Sequence, residues 1–259
     1  MTLTQLYDPT KGVMNIAGFM SGSGTNLKKI IETEQFLQFK KVRSSYHVAV
    51  IFTDNAESNA SKLGRDYNIP VIMHDIKAFY KSRDKPLKDL DVRKEFDMET
   101  AKALSVYNIS VGAFAGYMSI VTAPLIDSLL CVNVHPADLT IMDGAKRKYT
   151  GAHAVRDAIL AGEKQLRSTT HILEERVDYG TILMVSKPLQ VRLPAGFDKN
   201  DKNLVDKVAA MHQNILKEEG DWVIFPKTLR YLANGKYSKD EMGNLYFDDL
   251  PIINGVRLD

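Results

Sequence analysis

Short apolar runs alternate with segments of helical periodicity through the first half of the chain. After the first run, Leu27, Ile30 and Ile31 recur at helical spacing and predict a helix. Apolar runs of this length between helices are typical of buried strands in a parallel sheet. The predicted strands are residues 15–20, 47–52, 69–73, 109–115 and 129–134. We therefore predict an α/β fold, a three-layer sandwich in which a mostly parallel, twisted sheet is flanked by helices, with a Rossmann-type N-terminal half.

The second half of the chain carries a different pattern. Residues 168–173 and 181–186 are rich in β-forming side chains, and the apolar stripe of residues 204–215 predicts a helix. Pro226 is predicted to start the last helix, which Asn234-Gly235 ends.

Two polar segments are predicted as loops. Residues 77–93 carry Lys, Arg and Asp around Pro86 without apolar periodicity, and predict an exposed loop. Residues 138–149 predict a second polar loop. The predicted organisation is an N-terminal extension at 1–13, a main domain at 14–235 and a tail of short strands and turns at 236–259.

Composition excludes several classes of protein. With 259 residues, of which 44% are hydrophobic and 25% charged, the chain is expected to bury a packed core. Its formal net charge of +2 gives no broad attraction for nucleic acid or an anionic membrane, so neither is expected as a partner. An anionic ligand must therefore be captured locally.

The compartment is predicted from cysteine usage and apolar stretches. The single cysteine, Cys131, can form neither an internal disulfide nor a thiolate metal cluster, which fits a reducing compartment. Asp8 and Pro9 stand where a secretory signal would be apolar, so no export signal is expected. Residues 103–126 lack charged side chains, but polar residues interrupt them, and we interpret them as a buried strand with its flanks. The expected location is the cytoplasm.

A glycine loop follows the first predicted strand. Residues 21–26 (SGSGTN) lie between a strand and a helix, where free backbone N–H groups and the helix dipole attract an anion. The loop lacks the Gly-Lys-Ser/Thr of a Walker A motif, and Leu27 replaces the third glycine of a dinucleotide fingerprint, although Asp54 could hold a ribose. Phosphate binding and a simple chain reversal both fit. If phosphate binds here, Gly24→Val should weaken its binding by blocking the approach to the backbone.

The second candidate motif is the end of the fifth predicted strand. Asn133 and His135 are two residues apart and therefore point to the same face. An amide donor beside an imidazole suits a reaction in which a carbonyl oxygen gains negative charge while a proton leaves an attacking amine. Acyl transfer is the reaction class that this favours. The alternative is a buried Asn–His pair that satisfies local backbone groups.

Other titratable residues are weaker candidates by themselves. Asp178 could orient His135 or bind a water that relays protons, or it could be an ordinary turn residue. His153 and His171 fit local hydrogen bonds on a helix and a strand. The histidine spacing matches no metal-binding motif, so no metal is expected.

Taken together, the order and spacing of five motifs carry a family resemblance. The motifs are residues 14–27 with the glycine loop, Asn133-Val134-His135-Pro136, Tyr149-Thr150-Gly151-Ala152-His153, Thr169-Thr170-His171, and Asp178 seven residues later. They resemble the glycinamide ribonucleotide formyltransferase family of purine biosynthesis, within the wider group of formyl-folate enzymes. The resemblance runs from about Met14 to Gly235.

The resemblance implies a formyl transfer from 10-formyltetrahydrofolate, as co-substrate, to the amine of glycinamide ribonucleotide. It implies that Asn133, His135 and Asp178 are catalytic and that the only partners are these small molecules, bound by a monomer or homodimer. The resemblance assigns phosphate and ribose binding to Gly24, Thr25, Asn26, Asp221 and a mobile-loop arginine, Arg93. It assigns folate binding to Gly116, Met118, Ser119, Ile120 and Val121, and supporting roles to Gly151, His153, Thr169 and His171.

Four departures from the family pattern affect the acceptor more than the chemistry. Residues 137–148 are longer than usual and basic at 146–148, Ser119 stands where the family often has arginine, and Glu218 stands where a phosphate-facing lysine is common. Residues 190–217 are rearranged relative to the family. The alternatives are therefore a formyltransferase for another amine, a 10-formyltetrahydrofolate hydrolase, and a phosphate- or nucleotide-binding module without chemistry.

Overall fold

The computed structural model describes residues 2–41 and 44–259. Its strands are, in chain order, β1 (Thr4–Gln5), β2 (Met14–Met20), β3 (Tyr46–Thr53), β4 (Val71–Met73), β5 (Val111–Phe114), β6 (Leu130–His135), β7 (Met142–Asp143), β8 (Lys146–Arg147), β9 (Gln165–Leu166), β10 (Thr169–Ile172), β11 (Ile182–Val185), β12 (Leu189–Gln190), β13 (Tyr237–Lys239), β14 (Leu245–Phe247), β15 (Leu250–Pro251) and β16 (Val256–Arg257).

The helices are α1 (Thr25–Phe39), α2 (Ala60–Tyr67), α3 (Ile76–Ser82), α4 (Leu90–Leu104), α5 (Ala123–Ile126), α6 (Ala154–Ala161), α7 (Lys202–Leu216) and α8 (Trp222–Ala233). A π-helical turn at Lys217–Asp221 joins α7 to α8, and short 3₁₀ turns lie at Pro9–Lys11 and Ser105–Tyr107. No helix in the described part of the chain is both long enough and apolar enough to cross a bilayer.

Eight strands form the central sheet, in the order β16-β11-β10-β6-β5-β2-β3-β4. Pairing is parallel from β6 to β4 and antiparallel only where β10 joins β6 and β11. Helices cover both faces of the sheet, as the buried side chains of β2 show. Ile16 and Met20 pack with α1 and α8 on one face, and Ala17 and Phe19 pack with α3 and α4 on the other. The predicted three-layer α/β fold is confirmed.

The topology places three loops at one edge of the sheet. Strands β6, β5 and β2 are parallel neighbours, so their carboxyl ends lie side by side. In open α/β sheets, ligands bind outside the carboxyl ends of the strands. The glycine loop follows β2, residues 115–121 follow β5, and Asn133 and His135 lie at the end of β6.

The prediction of an exposed loop at 77–93 was wrong. Helix α3 occupies its start and α4 begins at Leu90. Asp75 accepts a hydrogen bond from the Ala78 amide, and the Asp89 carboxylate caps α4 in the same way. Phe79 is buried with its ring centroid 5.1 Å from that of Phe96. The two caps and this aromatic packing stabilise α3 and α4. The many charged residues of the segment make its apolar periodicity difficult to recognise in the sequence.

The prediction that Pro226 starts the last helix was also wrong. Helix α8 begins at Trp222, and Pro226 lies inside it. The π turn lies just before this helix, where the α-helical hydrogen-bond pattern is already interrupted. Ile224 and Phe225 are buried in the core, and their packing keeps the segment helical on both sides of the proline.

The two ends of the chain meet in a second, four-stranded antiparallel sheet of order β1-β13-β14-β15. Thr4 pairs with Lys239 in this sheet. The Tyr237 side chain is fully buried and its hydroxyl donates to the Leu183 carbonyl at 3.0 Å, while β16 adds an edge strand to the central sheet. The strands and turns predicted for the tail are therefore present and pack on the central sheet.

Candidate active site

A cavity of about 520 Å³ opens at the carboxyl ends of β2, β5 and β6. Four further segments complete its wall: residues 151–152, the 173–178 loop, the last two turns of α7 and Asp221. The predicted residues that line it are Gly24, Thr25, Asn26, Gly116, Met118, Ser119, Ile120, Val121, Asn133, His135, Gly151, Asp178 and Asp221.

Asn133 is held by a histidine on the neighbouring strand. His171 of β10 lies opposite Asn133 of β6 in the antiparallel register, and the Asn133 Nδ2 to His171 Nε2 distance is 3.2 Å. His171 Nδ1 lies 3.0 Å from the Ile172 carbonyl, which can only accept, so Nδ1 carries the proton of the neutral ring. Nε2 then accepts from the Asn133 amide. One N–H of Asn133 is used in this way, and the second is available to the cavity.

His135 is 5% exposed and lines the cavity beside Asn133. Its Nε2 lies 3.0 Å from the Tyr149 carbonyl and therefore carries the proton of the neutral ring. Its Nδ1 faces Asp178 Oδ2 at 3.5 Å. Burial lowers the pKa of His135, and Asp178 partly offsets this by favouring the imidazolium. A proton taken up at Nδ1 would form an ion pair with Asp178.

Asp178 is fixed by contacts on both carboxylate oxygens. Its Oδ2 accepts the Gly151 amide at 2.7 Å, and its Oδ1 lies 3.5 Å from His171 Nε2. Burial would raise the pKa of Asp178, but His135 and the hydrogen bond from the Gly151 amide act against burial and keep the pKa below its usual value. Asp178 is therefore a carboxylate at neutral pH.

The glycine loop ends in the first turn of α1, and Gly24, Thr25 and Asn26 line the cavity there. Gly24, the N-cap residue, has φ +70°, and the helix begins at Thr25. The Asn26 side chain is held by two hydrogen bonds: its Nδ2 donates to Asp221 Oδ2 at 3.0 Å and its Oδ1 accepts from Trp222 Nε1 at 3.0 Å. Burial raises the pKa of Asp221 to about 6 against the opposing effects of Ser168 and Asn26.

The structure corrects the reason given for Gly24. A Cβ at this position would meet Met20 Cε at 2.7 Å and Leu63 Cδ1 at 3.1 Å, which are interior side chains. The positive φ and this inward packing therefore require glycine. A side chain at Gly24 would point into the core rather than block a ligand's approach to the backbone.

Lys217 was missed from the sequence, which drew attention to Glu218 instead. Lys217 lines the cavity, and among the described residues around it Lys217 is the only lysine or arginine. Gln213 and Asn214 line the same wall, one turn earlier in α7. Lys217 follows Asn214 by three residues and Gln213 by four, a spacing typical of one helix face. This spacing was a signal available in the sequence, although it does not predict the π turn in which Lys217 lies.

The 116–121 loop is tied to the glycine loop through Asp54. Ser21 Oγ donates to Asp54 Oδ1 at 2.6 Å and Ser119 Oγ donates to Oδ2 at 2.5 Å. The Met118 amide donates to Ser21 Oγ at 2.9 Å. Asp54, the candidate ribose ligand of a dinucleotide fold, is thus used to hold two loops together. Met118 is 71% and Ile120 52% exposed, which leaves an apolar rim on the cavity.

Four predicted residues lie outside the cavity wall: Arg93, His153, Thr169 and His171. Arg93 is not on a mobile loop. It lies on α4, is 2% exposed, and contacts Asp97 at 2.9 Å and the Tyr117 hydroxyl at 2.9 Å, so it supports Tyr117 from behind.

The other three take supporting positions. His171 holds Asn133, as described above. Thr169 donates to the Ala137 carbonyl at 2.6 Å and so fixes the chain after β6. His153 is exposed at the N-cap of α6.

The described residues bear on two other kinds of chemistry, that of a metal ligand cluster and that of a reactive thiol. Over 2–41 and 44–259, no three His, Cys, Asp or Glu side chains are grouped to hold a metal ion. Cys131 is buried in β6, and burial raises the pKa of its thiol.

Comparisons with known proteins agree on one family. A family model described as formyl transferase matches residues 14–218. The chain is 28% identical over 226 residues to the trifunctional purine biosynthetic protein adenosine-3 of Drosophila melanogaster, a match that covers 85% of this chain and 14% of that protein. It is 22% identical over 230 residues to the phosphoribosylglycinamide formyltransferase of Escherichia coli (strain K12), which covers 88% of this chain and 91% of that protein.

A solved structure has the same fold. The phosphoribosylglycinamide formyltransferase of Coxiella burnetii, solved in complex with CHES, superposes with a TM-score of 0.69 at 20% identity, over 95% of this chain and all of that one. The chain therefore spans a small part of the long multifunctional relatives and nearly the whole of the short ones.

Proposed function

Since the chain belongs to the formyl transferase family, we propose that it transfers a formyl group from 10-formyltetrahydrofolate to the amine of glycinamide ribonucleotide, a step of de novo purine biosynthesis. The observation that supports this best is the convergence of Asn133, His135 and Asp178 in one cavity that also holds the N-terminus of α1. These side chains come from β6 and from the turn before β11, and only the fold brings them together.

Asn133 is placed to stabilise the negative charge that develops on the formyl oxygen. Its first N–H is taken by His171, which fixes the plane of the amide. The second N–H is free to donate into the cavity. A pre-oriented donor of this kind acts best in a site from which water is excluded.

His135 is placed to move the proton. As the acceptor amine attacks the formyl carbon, a C–N bond forms, the bond from that carbon to N10 of the folate breaks, and one proton passes from the amine to N10. His135 is neutral because burial lowers its pKa, so Nδ1 can accept a proton. Asp178, 3.5 Å from Nδ1, stabilises the imidazolium until the proton is released.

The phosphate of the acceptor would bind at the N-terminus of α1. The first backbone N–H groups of this helix have no partner within the helix and attract an anion. Lys217 adds a cation to the same cavity. It could replace the phosphate-facing lysine that the family has at the position of Glu218. The ordinary acceptor of the family therefore fits this chain better than the sequence departures suggest.

The folate would lie along residues 116–121. When bound, 10-formyltetrahydrofolate supplies the formyl group as co-substrate. The rim of Met118, Ile120 and Val121 is apolar, which suits the face of a flat heterocycle. The Asp54 bridges to Ser21 and Ser119 hold this loop at a fixed distance from the phosphate end.

A steady-state assay on the purified chain tests the proposal. Release of deformylated folate should require glycinamide ribonucleotide, and His135→Ala should slow it by about 10²–10⁴-fold. Release without an amine would identify a hydrolase, and transfer only to a different amine would identify another acceptor. Binding of both ligands without release would identify a module without chemistry. Each of these three outcomes contradicts the proposal.

A further inference from the structure

Arg147 forms hydrogen bonds to the turn that carries Asp178. Its Nη1 donates to the Asp178 carbonyl at 2.6 Å and its Nη2 donates to the Gly180 carbonyl at 3.0 Å. The Arg147 backbone amide donates to the Tyr179 hydroxyl at 3.0 Å. Three hydrogen bonds from one residue therefore fix three consecutive residues. Two of them come from different nitrogens of one planar guanidinium, a geometry that a lysine cannot reproduce.

The turn at residues 178–180 has an unfavourable backbone conformation. Asp178 has φ +58°, in the left-handed region that costs non-glycine residues free energy. Gly180 is pressed against β10, because a Cβ there would lie 1.8 Å from the Ile172 carbonyl oxygen. A conformation of this kind persists only where neighbouring groups hold it, and Arg147 is the side chain that contacts both carbonyls.

The source of Arg147 is one of the departures from the family pattern. It lies on β8, in the longer 137–148 segment, which folds as a small β7–β8 hairpin over the turn. Of the neighbouring basic residues, Lys148 pairs with Glu163 at 3.1 Å and Lys146 is exposed. The basic run thus places one of its three cations against the site and directs the other two elsewhere.

We propose that Arg147 is a positioning residue for the formyl-transfer reaction: through the carbonyls of residues 178 and 180 it fixes the carboxylate of Asp178 beside His135. This rests on the proposed function. The hairpin would give this chain a support for its catalytic carboxylate that the shorter loop of the family pattern does not contain.

The charges that face His135 give the proposal a distinct signature. Asp178 favours the imidazolium, while His171 and Arg147 disfavour it, and the Tyr149 carbonyl accepts from its Nε2. A variant that keeps the cation but frees the turn should weaken only the effect of Asp178. The His135 titration should then move to lower pH.

The test compares Arg147→Lys and Arg147→Met with a matched control, Lys146→Met, which removes an exposed cation one residue away in the same strand. Arg147→Lys should lower kcat by about ten- to a hundredfold, the size expected for a displaced catalytic group. The KM of each substrate should stay within about twofold. Arg147→Met should lower kcat at least as far, and Lys146→Met should match the wild type.

A second readout does not depend on turnover. NMR titration of the histidine rings, with the His135 signal assigned by its loss in His135→Ala, should show a lower midpoint in Arg147→Lys than in the wild type or Lys146→Met. Because Arg147→Met also removes a cation, its midpoint should lie above that of Arg147→Lys. Melting temperatures are recorded for every variant to compare their folding.

Specific outcomes overturn the inference. They are an unchanged kcat and His135 midpoint in both Arg147 variants, or a loss of activity in which both KM values and the melting temperature change together while the His135 midpoint does not. A wild-type chain without formyl transfer would instead overturn the proposed function. The NMR titration would then still decide whether Arg147 controls the Asp178–His135 pair.

Discussion

Asn133 carries the most specific chemical expectation at the scale of single residues. Asn133→Asp keeps the size of the side chain but replaces its amide donor with a carboxylate. We expect kcat to fall by about 10²–10³-fold, as for the loss of one oxyanion donor, with little change in KM. Asn15→Asp, at the far end of β2, is the same substitution away from the cavity and should leave kcat unchanged. A kcat for Asn133→Asp within threefold of the wild type would contradict this role.

Asp221 links the site to stability. Its folded pKa of about 6 lies above the value of an unfolded aspartate, so the folded state binds this proton more tightly. The resulting contribution is fully present below about pH 4 and is lost as the pH rises through 6. Asp221→Asn should therefore gain stability relative to the wild type, by about 2–3 kcal/mol, between pH 4 and pH 8.

Urea unfolding of the two proteins at a series of pH values measures this difference. The comparison cancels the titration of groups that both proteins share. A difference in unfolding free energy that is constant from pH 4 to pH 8 would show that Asp221 ionises normally.

At the scale of elements, helix α7 and the π turn after it form a wall of the cavity that the sequence analysis missed. Lys217→Gln should raise the KM of glycinamide ribonucleotide by about tenfold or more, because charge-assisted hydrogen bonds contribute about 1.5–3 kcal/mol. The kcat should change little, since we propose that Lys217 binds the phosphate and not the reacting groups. Glu218→Gln is the matched control, because Glu218 is exposed and does not line the cavity.

Steady-state kinetics at two salt concentrations measure this prediction. The KM of the wild type should rise with salt more steeply than that of Lys217→Gln, because an ion pair with the phosphate is screened. Equal KM values for Lys217→Gln and Glu218→Gln would remove Lys217 from the site.

The junction of β2 and α1 gives a stability prediction. Gly24→Ala places a Cβ at φ +70° and against Met20, so it should cost at least about 1–2 kcal/mol. Gly22→Ala is the control, because a Cβ there meets no atom within 4 Å. Chemical denaturation measures both. Equal stability of the two variants would show that the Gly24 conformation relaxes without cost.

At the scale of the whole molecule, the sequence predicted elements that depend on neighbouring residues, but not contacts between residues that are far apart along the chain. Strands β2, β3 and β6 and the glycine loop follow from local apolar runs, and Asn133 and His135 share a face because β6 is a strand. The contact of Asp178 with His135 depends on strand order. The sequence alone left Asp178 open between this contact and an ordinary turn residue, and the family resemblance favoured the contact.

The errors have one physical cause. Tertiary packing overrode local signals in α3, where buried Phe79 outweighs the surrounding charges, and in α8, where the core contacts of Ile224 and Phe225 keep Pro226 inside the helix. Arg93 was placed on a loop because it ends the predicted loop at 77–93 and because the family resemblance assigned it to a mobile loop, whereas α4 begins before it, at Leu90. The position of Lys217 depends on the π turn, which the sequence pattern does not predict.

The fold as a whole brings the N-terminus of α1, an apolar rim and the His135–Asp178 pair to one edge of the central sheet. We propose that this edge moves a formyl carbon from a folate nitrogen to the amine of a ribonucleotide. The most direct measurement follows that carbon by NMR, with 10-formyltetrahydrofolate labelled with ¹³C in the formyl group. We predict that the label appears on the glycinamide nitrogen, at a rate that His135→Ala lowers by about 10²–10⁴-fold. Label that appears only as free formate, or that stays on the folate, would contradict the account.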